Sequence, residues 1–111
     1  MTDLEITRRC AEAMGYSEHD DSEYEFIDGI PPPGLCVLDK KAPPIRRVFY
    51  YDPLHDDAQA MALVKKLKLH IGYDTFNNGW RCLAQDSQTQ ARSPELNRAV
   101  CLTVAKMMEN G

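Results

Sequence analysis

The run DDAQAMALVKKLKLHIGYDTFNNGWRCLA, residues 56–84, decides the fold, because its apolar period changes from that of a helix to that of a strand. Asp56 and Asp57 stand where a helix N-terminus favours acids, and Lys65, Lys66 and Lys68 fall at its negative end. Between them Ala60, Met61, Leu63, Val64 and Leu67 form a stripe of helical spacing. Leu67, Leu69, Ile71 and Tyr73 then alternate with Lys68, His70 and Gly72, the period of a half-buried strand. Asn77-Asn78-Gly79 tolerates the positive φ of a hairpin turn, and Trp80, Cys82 and Ala84 alternate with Arg81, Leu83 and Gln85 on the return strand.

Working outward toward the C-terminus, the polar run 86–92 reads as a loop and SPELNRAVCLTVAKMM, residues 93–108, as a helix. Ser93 supplies a cap, Pro94 the first position, and Leu96, Ala99, Val100, Thr103, Val104 and Met107 the core face. Toward the N-terminus, residues 45–51 are rich in β-branched and aromatic side chains and read as a strand. Leu35, Cys36 and Val37 suit a brief edge strand, because Pro31-Pro32-Pro33 and Pro43-Pro44 on either side remove hydrogen-bond donors. Thr2 and Glu5 make a capping box for a helix over 3–14 that Gly15 stops. The order is helix, one to three strands, helix, two strands, helix. That order predicts an α+β fold: a small layered sandwich whose antiparallel or mixed sheet of three to five strands packs against three helices.

A length of 111 residues suits a single domain spanning 1–111, with an acidic and proline-rich insertion over 17–44. Thirteen basic against seventeen acidic residues give a net charge of −4, which disfavours direct nucleic-acid or anionic-membrane binding and favours a basic partner. No apolar run reaches the length of a membrane span, and residues 1–5 read as the start of a polar helix rather than a signal peptide. A cytoplasmic location follows as the expectation, with Cys10, Cys36, Cys82 and Cys101 as free, mostly buried thiols.

No nucleophile-elbow, phosphate-loop, dinucleotide or zinc-protease signature is present. Cys82 or Cys101 with His55 or His70, oriented by Asp56 or Asp57, is the one catalytic combination to weigh, and packing accounts for both thiols. The cysteines and His19, His55 and His70 are scattered without metal-ligand spacing, so neither a metal nor a cofactor is expected, and the chain reads as a non-enzyme.

The segment that carries most functional signal is acidic. Glu18, Asp20, Asp21, Glu23, Glu25 and Asp28 are six acids with no Lys or Arg among them. Tyr24 and Phe26 alternate with them as in a short strand over 23–27. Glu18, Asp20, Asp21, Glu23 and Glu25 would steer a basic partner, and Tyr24 and Phe26 would anchor it. The alternative is a nucleotide or small-molecule site using Arg46, Arg47, Tyr50, Lys65 and Trp80 to hold phosphate and base. A self-associating virion component is a third reading.

Ala11-Glu12-Ala13-Met14-Gly15-Tyr16, Tyr51 leading into Asp57-Ala58-Gln59-Ala60 and Val64-Lys65-Lys66-Leu67, Trp80-Arg81-Cys82, and Arg98-Ala99-Val100-Cys101-Leu102 together resemble the bacteriophage ABA sandwich domain family. The resemblance spans most of the chain but leaves residues 17–44 unmatched. It implies a phage-encoded origin and a helix–sheet–helix sandwich, and it carries no established activity onto any residue. With the acidity and the missing catalytic motifs, the expectation is an accessory protein that binds and inhibits a host or defence complex, such as an anti-CRISPR, in the host cytoplasm.

Overall fold

The computed structural model describes residues 1–19, 34–39, 47–85 and 88–110. The first helix, α1 (Asp3–Met14), has the expected bounds. Thr2 Oγ1 accepts the Glu5 N–H at 3.2 Å. Gly15, at φ 82°, closes the other end, its N–H donating to Glu12 O while Tyr16 N–H donates to Ala11 O.

Three strands follow: β1 (Ser17–Glu18), β2 (Leu35–Asp39) and β3 (Arg47–Tyr51), in the spatial order β1-β2-β3 and antiparallel throughout. Here the expectation of an edge strand at 35–37 is corrected. β2 is central, because Ser17 and Glu18 pair with Leu38 and Val37 on the side away from β3. Both β1 and β2 lie within the stretch 17–44 that composition sets apart. The strand expected over 23–27 lies outside the described residues.

Helix α2 (Asp57–Leu67) is capped by Asp56, whose Oδ1 accepts the Gln59 N–H at 3.0 Å, and ends where Lys68 turns to φ 53°. A second antiparallel sheet follows, β4 (His70–Asp74), β5 (Gly79–Leu83) and β6 (Gln90–Ser93), ordered β4-β5-β6. The polar run 86–92 is therefore not all loop. Ala91 and Ser93 turn inward while Gln90 and Arg92 face solvent, an alternation hidden because the inward side chains are small. The strand expected from residue 67 begins later, at His70, since Leu67 belongs to the helix and buried Leu69 bridges helix and strand.

Helix α3 (Leu96–Asn110) starts two residues beyond Pro94. Ser93 belongs to β6, yet its Oγ still accepts the Glu95 N–H at 3.2 Å, and Glu95 O takes the first helical bond from Ala99 N–H. The architecture is thus α+β, with two antiparallel three-stranded sheets and three helices among the described residues. One contiguous core joins them, running from Ile6 and Cys10 through Val37, Tyr51, Leu63 and Cys82 to Ala99, Val100, Cys101 and Val104. α1 lies against β1 and β2, α3 against β5 and β6, and the two helices pack on each other, so they form the junction between the sheets. The four cysteines are free and buried, as expected.

Candidate functional site

Of the acidic set, the structure describes Glu18 alone. It ends β1, and its Oε1 accepts from Arg8 Nε at 2.9 Å, an exposed ion pair that already occupies one carboxylate oxygen. Asp20, Asp21, Glu23, Tyr24, Glu25 and Phe26 lie outside the described residues, as does Arg46. The remaining ligand candidates are dispersed. Arg47 and Tyr50 are on β3, three residues apart, exposed Lys65 is on α2, and Trp80 is on β5 of the other sheet. The cavity beside Trp80, about 110 Å³, is walled by β4–β6 residues such as Asp74, Arg92 and Ser93 and reaches neither Tyr50 nor Lys65.

The catalytic combination does not assemble. Cys82 and Cys101 are both 0% exposed, and burial raises the Cys82 thiol pKa, away from the reactive thiolate. His55 Nδ1 is held by the Asp52 carboxylate at 3.0 Å rather than by Asp56 or Asp57. Asp56 caps α2, and Asp57 Oδ1 accepts from Asn97 Nδ2 at 2.8 Å. Among the described residues no three His, Cys, Asp or Glu converge as metal ligands, and no helix is long and apolar enough to cross a membrane.

What stands out is the β4–β5 hairpin. Its register sets Tyr73 opposite Trp80 and Ile71 opposite Cys82, so these four share the face that α3 covers over β5 and β6. β4 lies beyond that cover. Ile71 is consequently 39% and Tyr73 53% exposed, correcting the half-buried strand expected there. The Tyr73 and Trp80 rings meet edge to face with centroids 5.2 Å apart, which fixes both.

At the tip Phe76 is 96% exposed. The turn that carries it is tied down by one carboxylate. Asp74 Oδ1 accepts the N–H groups of Phe76 at 3.0 Å and Asn77 at 3.4 Å, and Oδ2 accepts from Asn77 Nδ2 at 2.7 Å. The Asn77 side-chain bond, aided by the two backbone N–H groups and the charge of Arg92, holds the Asp74 pKa below its ordinary value. Asn78 takes the left-handed conformation at φ 49°. Gly79 follows where an added Cβ would stand 3.2 Å from Ser93 O, so the chain passes close to β6 there.

Sequence reasoning located this hairpin and did not single out Phe76, Ile71 or Tyr73. The available signal was Phe76 itself, a large apolar side chain in a turn of polar residues where no strand or helix face could bury it. In comparison with known proteins, no protein-family model, no curated protein and no solved structure matches the chain.

Proposed function

We propose that this chain acts by protein–protein binding, as an accessory inhibitor of a host or defence complex, and that Phe76 is the anchor it inserts into its partner. The observation that carries this reading is a phenylalanine 96% exposed on a turn whose conformation is already fixed by Asp74. Aromatic anchors that fill a partner pocket dominate interface energies, and an anchor ordered beforehand loses little entropy on binding. The net charge of −4 fits a partner whose pocket has a basic rim, with the acids of residues 18–28 adding attraction at longer range. The phage-family resemblance supplies the host or defence context.

The test places a photo-cross-linking phenylalanine analogue at position 76 in cells that carry the target complex. One defined protein is expected in the adduct, displaced by unmodified wild type. Its affinity for Phe76→Ala is expected to fall by at least about tenfold, and by more if the ring fills a deep pocket. Retention of the partner by Phe76→Ala at wild-type affinity would overturn the assignment.

A further inference from the structure

Each sheet has two outer edges, and among the described residues three of the four carry a feature that opposes further pairing. β1 is two residues long. At the end of β3, Gln59 occupies two backbone groups, its Nε2 donating to Tyr50 O at 3.3 Å and its Oε1 accepting Asp52 N–H at 2.6 Å. On β6, Lys106 Nζ donates to Gln90 O at 3.0 Å. Short strands, side chains laid on the edge and lysines are the usual means of preventing strand addition.

β4 has none of these. It is five residues long, His70-Ile71-Gly72-Tyr73-Asp74, with no proline, no lysine and, among the described residues, no strand paired on its outer side. From this we infer that β4 pairs with β4 of a second copy, joining two three-stranded sheets into one of six strands. The proposal goes beyond the binding function above and does not depend on it.

The register follows from the sequence of the strand. Antiparallel pairing across a two-fold axis at Gly72 sets Gly72 against its own copy, Ile71 against Tyr73, and His70 against Asp74, with all five residues paired. Shifting the axis to residue 71 or 73 loses the His70–Asp74 match and leaves residues unpaired at both ends. The strand is therefore complementary to itself in hydrogen bonding and in apolar character, as an isologous interface requires. Asp74 uses three acceptor positions in its own turn, and an ionised carboxylate has about four, so one remains for His70 of the second copy. Ile71 and Tyr73, exposed in one copy, become neighbours across the axis on the side of the sheet that carries α3. At the axis itself an added Cβ on Gly72 meets nothing within 4 Å, so the face of the sheet that His70 and Asp74 share is open there. Because the strands run antiparallel, the two Phe76 tips point away from each other and stay free.

Sedimentation velocity of the full chain across the micromolar range tests this. Wild type is expected at twice the 12.6 kDa chain mass. Ile71→Lys with Tyr73→Lys sets lysine opposite lysine twice and is expected to weaken the dimer at least about tenfold. Ile71→Lys with Tyr73→Glu sets lysine opposite glutamate and is expected to restore it, which a merely misfolded variant would not do. Gly72→Cys is expected to give a disulfide-linked dimer under mild oxidation, since the four native thiols are buried. A wild type that stays monomeric with no cross-link through Gly72→Cys would overturn the inference. So would a dimer that persists in the double-lysine variant. These readouts are of mass alone, so they succeed or fail separately from the Phe76 capture.

Discussion

Tyr51 is 1% exposed, wedged edge to face against Tyr16 at 5.3 Å, and its hydroxyl has no hydrogen-bond partner among the described residues. Burial, with Cys10 and Cys101 alongside, pushes its pKa well above the ordinary tyrosine value, so it stays neutral. A buried polar atom with no partner costs stability, and Tyr51→Phe is expected to raise the unfolding free energy by about 1 kcal/mol in urea titrations; a loss instead would reveal a bond to that hydroxyl. Asp74 has the opposite character, an exposed carboxylate stabilised as an anion by Asn77 and the turn amides. Its folded pKa is lowered, so its stabilisation of the turn is present above the unfolded-state value and is lost as pH falls through the lowered one. Hydrogen exchange of the Phe76 and Asn77 amides should therefore show protection at neutral pH that Asp74→Ala removes, and indifference to that substitution in strong acid would agree. Residues of both kinds were hard to read in advance. Tyr51 looks like any strand aromatic, and the importance of Asp74 depends on which amides the turn aims at it.

Among the elements, α1, the body of α2, α3 and the β4–β5 hairpin were legible, because each writes its own period and its own caps locally. β1 and β6 were not. Ser17-Glu18 has no apolar pattern at all, and β6 hides its buried face in Ala91 and Ser93. Both are strands because of what lies beside them. β2 was seen as a strand but misplaced in its sheet for the same reason. Its entry depends on Gly34, which sits at φ 103° with room for no Cβ, since one would collide with Tyr51 O and lie 2.8 Å from Asp52 Cβ. Gly34→Ala is expected to cost about 1–3 kcal/mol in thermal or urea unfolding, by straining the backbone and pushing β2 off β3. An unchanged midpoint would mean that the β2 entry can shift without loss.

At the scale of the whole molecule, the α+β class followed from the order of elements, whereas the division into two sheets did not, since pairing is decided between segments far apart in sequence. The candidate site was legible only as a hairpin. That β4 overhangs α3, and so turns Ile71 and Tyr73 into surface, depends on where the last helix lies. That helix packs on α1, α2, β5 and β6, and all of them precede it along the chain. A polypeptide emerging from the ribosome must therefore carry α1, α2 and β1–β6 without the piece that closes their shared core. For that interval its unclosed apolar faces are open to chaperones, and to other nascent copies of itself on the same message.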